Sequence, residues 1–290
     1  MKNMLLFVQR INECYPTLPV DEVYFNDSGE NNDVLIINND IIFRFPRRLE
    51  GVQNLLTEAT LLTELQGRLP LEIPNPLYRA FEPHEPGQAF MGYPMIPGKP
   101  LFPDILASFP PEKQVRAAHD LACFLRSLHL TPISGALNLP QQDHVEEWQH
   151  LFERFQAVLQ PHMSPHAWKN VCCQFDEFFS RTGNDFTPAL RHGDFGPGNI
   201  MVDENQQILS GVIDFGSAGI GDPAVDIAGL VGPAGYGESF VRQMLLDYPE
   251  AESYLERAYF YASTFALQEA LFGIEHNDLE AFESGIAAYR

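Results

Sequence analysis

The sequence predicts an α+β fold in which a β-rich segment precedes a mainly helical one. Two runs of β-branched and aromatic residues, 34–37 and 41–45, bracket Asn38-Asn39-Asp40, which is a strong hairpin signal. Residues 111–130 instead repeat apolar side chains every three or four positions, as a long helix does. With 290 residues and 45% hydrophobic content, the chain can bury a large core.

The N-terminal part is expected to pack helices on a small sheet. Apolar residues fall near one face of a helix over residues 1–14, at Leu5, Leu6, Val8 and Ile11. Residues 58–65 have the spacing of a second amphipathic helix. Residues 90–98 read as a strand that ends at a Pro-Gly break.

The C-terminal part is expected to be mainly helical. Residues 145–159 and 166–181 have helical spacing and are rich in Phe and Trp, which we assign to the core. A short strand, a polar turn and a returning strand follow over 200–202, 203–207 and 208–213.

Two short motifs indicate the chemistry. Residues 192–199 read His-Gly-Asp-Phe-Gly-Pro-Gly-Asn, and residues 213–216 read Ile-Asp-Phe-Gly. The spacing H-x-D-x-x-x-x-N matches the catalytic loop of protein kinases, and the second motif supplies the Asp that holds magnesium in that fold. Asp194 is therefore the candidate catalytic base, and Asn199 and Asp214 are the candidate metal ligands.

These residues suit phosphoryl transfer, a reaction in which the protein mainly positions the reactants and stabilises charge. The reaction needs metal ions on the triphosphate and one carboxylate at the attacking hydroxyl. The strand, turn and strand between the motifs would return Asp214 to the side of Asp194. The alternative is that both motifs are turn-rich loops whose Asp residues cap backbone amides. Their order and separation favour the catalytic interpretation.

Residues 192–230, which contain both motifs, resemble the signature of aminoglycoside phosphotransferases and their small-molecule kinase relatives. Weaker similarity covers most of the chain, and the aminoglycoside 2''-phosphotransferases are the subgroup it resembles most. The resemblance implies a bilobal protein-kinase-like fold. A small β-sheet lobe with a helix, over 1–95, would bind nucleotide, and a larger, mainly helical lobe, over 96–290, would hold the catalytic loop and the acceptor.

The resemblance also assigns a charged pair that binds the nucleotide phosphates. The segment Phe-Arg-Phe-Pro at 43–46 is similar to the family's Phe-Lys-Phe-Pro, so Arg44 replaces a Lys. Arg keeps the positive charge, but its planar fork differs in shape from an ammonium group. Glu58 would be its partner, in a segment similar to the family pattern E-A-x-L-L. A surface helix with solvated glutamates is the alternative.

Two further segments are candidate nucleotide contacts. The polar segment 27–33 lies where a kinase loop covers the phosphates, and Ser28 is its candidate ligand. An ordinary surface loop is the alternative there. In the hinge implied by the resemblance, the carbonyl of Pro94 and the amide of Ile96 could face one purine edge. Nothing in these residues distinguishes ATP from GTP.

Three polar residues near the motifs are given structural roles. Asp226, in a segment similar to the family's G-D-x-x-x-D, is expected to cap a helix or to bond to the catalytic loop. His192 is expected to orient that loop, and His129 to be a packed or capping histidine.

The net charge of the chain and the positions of its acidic residues are the basis for predicting the acceptor. A net charge of -21 opposes binding to nucleic acid or anionic membranes and favours a cationic ligand, although many acidic proteins use such charge only for solubility. Glu238, Asp247 and Glu269 are candidate contacts to ammonium groups. Glu269 is preferred because its segment is similar to the E-x-x-x-x-G-I of the 2''-phosphotransferases. We therefore assign Glu238 and Glu269, with Asp194, to the acceptor.

Together these features predict an Mg²⁺-dependent enzyme that transfers the γ-phosphate of ATP or GTP to a hydroxyl of an aminoglycoside, as resistance enzymes do. One alternative is a kinase of a macrolide, choline, homoserine or a similar acceptor, because the motifs do not specify the acceptor. The other is a pseudokinase that binds nucleotide without turnover, for which Arg44 is the only support.

The remaining expectations concern location and assembly. The N-terminus is too short and polar for a signal peptide and no apolar run could span a membrane, so we expect a cytoplasmic protein. The four cysteines lack metal-ligand spacing and are expected to be free thiols. We expect a monomer that binds neither nucleic acid nor membrane.

Overall fold

The chain divides into two units in the computed structural model, which describes residues 2–26, 31–132, 139, 144–181 and 186–290. The first unit comprises the described part of Met1–Pro100, with Leu139 and Asn199–Ala218. The second comprises the described parts of Leu101–Pro132, Pro140–Gly198 and Gly219–Arg290. The division after residue 95 stays a prediction.

The described elements are mainly strands along the first hundred residues and mainly helices thereafter. They begin with α1 (Lys2–Cys14), β1 (Val23–Asn26), β2 (Asn32–Ile37), β3 (Ile41–Pro46), α2 (Leu49–Leu65), β4 (Tyr78–Ala80), β5 (Phe90–Pro94) and β6 (Lys99–Pro100). They continue with α3 (Pro103–Ala107), α4 (Pro111–Leu130), α5 (His144–Arg154), α6 (Pro165–Arg181), β7 (Ala189–Arg191), β8 (Ile200–Asp203) and β9 (Ile208–Val212). The last are β10 (Gly219–Gly221), α7 (Ala224–Val231), α8 (Glu238–Met244), α9 (Leu255–His276) and α10 (Leu279–Ile286).

The first unit is built on a sheet whose described strands lie in the order β1-β2-β3-β5-β4, each antiparallel to its neighbour. The predicted hairpin is confirmed. Asn38 and Asn39 both have φ of 53°, and the Asp40 amide donates to the Ile37 carbonyl at 3.0 Å. Two consecutive positive φ values are typical of a type I′ turn, here within the three-residue connection between Ile37 and Ile41.

The two faces of β3 carry different side chains, because successive residues of a strand point to opposite sides. Phe43 and Phe45 are buried in an apolar core with Phe7 of α1 and Phe90 of β5. Arg44 lies on the opposite face. The sheet thus places a cation on the face away from its aromatic core.

The predicted face of α1 is wrong in part. Phe7 and Ile11 are buried, whereas Leu5 and Leu6 are 65% and 56% exposed. Residues 5 and 6 fit the apolar spacing, but the buried face of the helix is centred on the larger side chain of Phe7. The Phe7 ring stacks on Phe45 with the two centroids 4.3 Å apart.

The second unit packs its helices through aromatic side chains. The Phe178 and Phe260 rings stack with their centroids 3.9 Å apart, and Trp148 stacks on Tyr261 at 4.8 Å. The predicted core role is confirmed for Trp148, Phe175 and Phe178, which are buried, whereas Phe152, Trp168 and Phe179 are only half-buried. The bounds predicted for the long helix, 111–130, are those of α4.

Two expectations about the whole chain can be checked on the described residues. None of their helices combines the length and the apolar character that a membrane span needs. Cys14, Cys123, Cys172 and Cys173 are all free thiols.

Candidate active site

A buried ion pair lies on the face of the sheet opposite the aromatic core of the first unit, between Arg44 of β3 and Glu58 of α2. Arg44 Nη1 and Glu58 Oε1 are 2.6 Å apart, and the two side chains are 14% and 4% exposed. The geometry is that of a charge-assisted hydrogen bond. Burial alone would lower the pKa of Arg44, but the facing Glu58 carboxylate raises it above its ordinary value. The structure therefore brings together the two residues that the sequence pairs.

Asp214 is the third member of this cluster. Its Oδ1 lies 3.7 Å from Arg44 Nη2, and its side chain is 52% exposed. Its backbone is left-handed, with φ of 63° and ψ of 68°. A non-glycine residue in this region carries strain of about 1–3 kcal/mol and is often functional. The turn thus aims a solvent-accessible carboxylate next to a fixed guanidinium.

Asn199 is placed near Asp214 by the β8–β9 ladder. Ile200 pairs with Val212, and the Ile213 amide donates to the Asn199 carbonyl at 2.9 Å. The two candidate metal ligands therefore lie at the same end of one strand pair in the first unit. That Asp214 lies beside Asp194 stays a prediction.

Asp194 belongs to the second unit, where a buried carboxylate holds its loop. Asp226 accepts hydrogen bonds from the backbone amides of His192 and Gly193, each at 2.8 Å, and contacts His129 Nε2 at 3.0 Å. Burial would raise the pKa of Asp226, but these hydrogen bonds and the facing histidines lower it. The bond from Asp226 to the catalytic loop is confirmed.

The two histidines also have the structural roles that the sequence predicts. His192 is fully buried, and its Nδ1 accepts from the Asp194 amide at 3.3 Å. His129 is buried between Asp226 and the Tyr248 hydroxyl, which lies 2.9 Å from Nδ1. Asp194 itself is exposed. Buried groups thus hold the backbone of the loop, while the Asp194 side chain is exposed to solvent.

Helix α7 approaches the catalytic loop so closely that one position must be glycine. A Cβ atom on Gly229 would lie only 2.2 Å from the Phe195 carbonyl oxygen, too close for any side chain. Phe195 is buried and stacks on Phe124 of α4, with their centroids 5.7 Å apart. The loop is therefore packed between two helices.

Residues Pro94 and Ile96 of the predicted hinge line one cavity. It has a volume of about 460 Å³ and lies wholly in the first unit, with the end of α2 and residues 69–75 as its other walls. Their neighbour Met95 donates its amide to the Asp40 carbonyl at 2.7 Å, which ties the hinge to the β2–β3 turn. Ser28 lies outside the described residues.

The candidate acceptor contacts are on the surface of the second unit. Glu238 begins α8 and pairs with Arg242 at 2.6 Å, while Asp247 pairs with His119 at 3.0 Å. Glu269 is exposed on α9. Two of the three carboxylates thus already have a cationic or titratable neighbour.

A cavity of about 240 Å³ lies against the catalytic loop at Gly193. Its polar lining includes Glu147, Arg191 and Gln268. Burial raises the pKa of Glu147, and Arg191 opposes this shift. Arg191 Nε is buried and has no hydrogen-bond partner among the described residues. Neither Glu238 nor Glu269 lines this cavity.

The comparison with known proteins identifies the family. A sequence model of the phosphotransferase enzyme family matches residues 23–261. The chain belongs to this family. A curated relative, the viomycin phosphotransferase of Streptomyces vinaceus, is 28% identical over 262 residues, which are 88% of this chain and 89% of the relative.

Solved structures show the fold of the phosphotransferase. The GDP and kanamycin complex of APH(2")-IIia superposes with a TM-score of 0.89 at 25% identity, and covers 98% of this chain and 97% of its own. A macrolide 2'-phosphotransferase type I matches with a TM-score of 0.74 at 21% identity over 99% and 95% of the two chains. The α+β, protein-kinase-like fold is therefore confirmed.

Sequence reasoning missed one buried ion pair of the phosphotransferase. The Asp222 carboxylate accepts from Arg257 Nε at 2.6 Å and from the Tyr261 hydroxyl at 2.7 Å, and all three residues are buried. This pair ties the start of α7 to α9. The G-D-x-x-x-D pattern marks Asp222, but no local signal marks a partner 35 residues later.

Proposed function

We propose that this phosphotransferase transfers the γ-phosphate of ATP or GTP to a hydroxyl group of an aminoglycoside. The observation that carries the proposal is the cluster of Arg44, Glu58 and Asp214 in the first unit. It combines a fixed cation with an exposed carboxylate, which suits a metal-bound triphosphate. The similarity to a protein solved with GDP and kanamycin supports the choice of donor and acceptor.

Arg44 would neutralise charge on the donor phosphates, and Glu58 would hold its guanidinium in place. Asn199 and Asp214 offer oxygen donors, which are the ligands that Mg²⁺ takes. At these two residues a magnesium ion would supply positive charge that offsets the negative charge of the donor phosphates. The described residues contain no cluster of three or more His, Cys, Asp or Glu side chains suited to a metal. A two-ligand set fits magnesium, which is usually held by one or two protein groups and substrate phosphates.

Asp194 would orient the acceptor hydroxyl and accept its proton. The side chain is exposed, whereas the backbone on its N-terminal side is held by Asp226. General-base catalysis of this kind contributes about 10²–10⁴-fold in rate.

The purine would contact the hinge at the Pro94 carbonyl and the Ile96 amide, and Ser28 would reach a phosphate. The acceptor's ammonium groups would contact Glu238 and Glu269. Glu238 would then exchange its exposed pair with Arg242 for a substrate ammonium, at low cost because exposed ion pairs contribute little to stability. We also propose that the enzyme is a cytoplasmic monomer that confers resistance.

The test is a panel of acceptors. Purified protein is incubated with Mg²⁺, with ATP or GTP, and with kanamycin, gentamicin, viomycin, a macrolide, choline or homoserine, and products are detected by mass spectrometry. A phosphorylated aminoglycoside is the expected product. Phosphorylation of only another acceptor would replace the substrate assignment, and nucleotide binding without any product would indicate a pseudokinase.

A further inference from the structure

A buried cluster of Asp222, Arg257 and Tyr261, called here the Asp222 cluster, joins the start of α7 to α9. All three residues are at most 5% exposed. Asp222 Oδ2 accepts from Arg257 Nε at 2.6 Å and from the Tyr261 hydroxyl at 2.7 Å, while Oδ1 accepts from Arg257 Nη2 at 3.1 Å. The guanidinium therefore binds the carboxylate through two parallel bonds, which fix its orientation as well as its distance.

The same carboxylate is bonded to the first residue of α7. Asp222 Oδ1 accepts from the amide of Ala224, where α7 begins, at 2.9 Å. A buried charge that loses its partner is strongly unfavourable, so the cluster resists distortion. Through Asp222, the two side chains of α9 thus determine where α7 starts.

Both elements next to Asp222 hold the catalytic loop. On its N-terminal side, β10 pairs with β7, the strand that ends at the residue before the loop. On its C-terminal side, Asp226 of α7 accepts from the amides of His192 and Gly193, each at 2.8 Å. These amides lie in the backbone directly before Asp194. A shift of Asp222 would therefore reach the loop through a strand and through a helix.

The Asp222 cluster also borders the space beside the loop. Asp222 and Tyr261 line the cavity of about 240 Å³ that reaches Gly193. The cluster is thus a neighbour of the catalytic loop within the second unit and not a remote part of the core.

We propose that Arg257 and Tyr261 are positioning residues for phosphoryl transfer, because they fix Asp222 and, through α7, the carboxylate of Asp226 that holds the catalytic loop. The inference rests on the proposed role of Asp194 toward the acceptor hydroxyl. Both residues act through the backbone of the loop, whereas the proposed nucleotide contacts lie in the first unit.

The variants Tyr261→Phe and Arg257→Lys test the proposal. Tyr261→Phe removes only the hydroxyl and keeps the ring that stacks on Trp148. Arg257→Lys keeps the charge but loses the planar fork. Each variant should lower kcat about three- to tenfold, because a small misplacement of a catalytic group can cost up to about 10²-fold. The Kd of GTP and ATP with Mg²⁺ should change by less than about twofold. A kcat within about twofold of wild type in both variants would overturn the proposal.

Amide hydrogen exchange, measured by mass spectrometry on the peptide of residues 189–196, follows the loop itself. The amides of His192 and Gly193 are bonded to Asp226, so both variants should exchange this peptide faster than wild type. Wild-type exchange there would overturn the proposal. So would a loss of nucleotide affinity in Tyr261→Phe as large as its loss of kcat, since that would indicate a general loss of structure.

Arg154→Lys is the matched control. Arg154 also contacts both carboxylate oxygens of a residue on α9, Glu275, at 2.7 and 2.6 Å, but this pair is exposed. Its variant should keep the wild-type kcat and exchange, and an equal loss of kcat in it would contradict a specific role for the Asp222 cluster. If wild type phosphorylates no acceptor, the proposed function fails, while hydrogen exchange still decides whether the cluster holds the loop.

Discussion

The Asp226 carboxylate offers a quantitative test of how the catalytic loop is held. Asp226 is fully buried, accepts from the amides of His192 and Gly193, and faces His129 Nε2. In Asp226→Asn one oxygen becomes an NH₂ group, which faces donors that it cannot satisfy. The change removes one or two hydrogen bonds to a charged group and leaves a buried amide unpaired, at a cost of about 3–5 kcal/mol.

The assay is urea unfolding at pH 7, combined with kcat for the phosphorylated acceptor. We expect Asp226→Asn to unfold at a markedly lower urea concentration and to lose most of its kcat. Exposed Asp176 on α6 provides the control, because Asp176→Asn should change the unfolding free energy by less than about 0.5 kcal/mol. An Asp226→Asn protein with wild-type stability and kcat would refute the anchoring role.

The Asp226 carboxylate should also make the free energy of unfolding depend on pH. The pKa of Asp226 is lower in the folded protein than in the unfolded chain. Its stabilising contribution is therefore fully present above the unfolded pKa of about 4, and is lost as the pH falls through the lower folded pKa. The difference in unfolding free energy between wild type and Asp226→Asn should shrink below about pH 4. A difference that stays constant on acidification from neutral pH would contradict this linkage.

Three further predictions concern the ion pair, the close helix contact and the left-handed turn. Glu58→Gln should leave Arg44 without its buried counter-charge, and raise nucleotide KM about tenfold or more in steady-state kinetics; an unchanged KM would show that the pair is not needed. Gly229→Ala should lower the thermal midpoint, since its Cβ would meet the Phe195 carbonyl and overpacking costs about 1–3 kcal/mol; a midpoint equal to that of wild type would contradict the contact. Asp214→Asn should raise the Mg²⁺ concentration required for half-maximal activity, because a neutral ligand replaces a carboxylate; an unchanged magnesium titration would exclude Asp214 as a ligand.

Local patterns in the sequence predict local structure well here. The Asn38-Asn39 turn, the bounds of α4 and the β8–β9 hairpin all depend on neighbouring residues, whose propensities and spacing act over one or two turns of chain. The pairing of Arg44 with Glu58 could also be predicted, because a family motif marks both positions.

Contacts between distant residues could not be read in this way. Asp222, just before α7, accepts a hydrogen bond from Arg257 of α9. Glu147 and Arg191 line one cavity although no sequence motif links them. Such contacts depend on how helices pack, which the spacing of single elements does not determine. The pair of Glu238 with Arg242 is different, because it is an i,i+4 contact within α8 that helical spacing alone could have predicted.

The departure of Arg44 from the family Lys can be understood only from the structure. The sequence shows the substitution and leaves the pseudokinase alternative open. In the folded chain the guanidinium lies between two carboxylates, with Glu58 at 2.6 Å from Nη1 and Asp214 at 3.7 Å from Nη2. Both carboxylates are distant from Arg44 in the sequence, so no adjacent residue accounts for the substitution.

We propose that Asp194 acts on the acceptor and not on the nucleotide, and Asp194→Asn tests this role directly. Transfer of labelled γ-phosphate to kanamycin is followed for wild type and Asp194→Asn, alongside the Kd of each for GTP and ATP. We expect transfer to fall by about 10²–10⁴-fold while nucleotide Kd changes by less than about threefold. Transfer at the wild-type rate by the Asp194→Asn protein would contradict it.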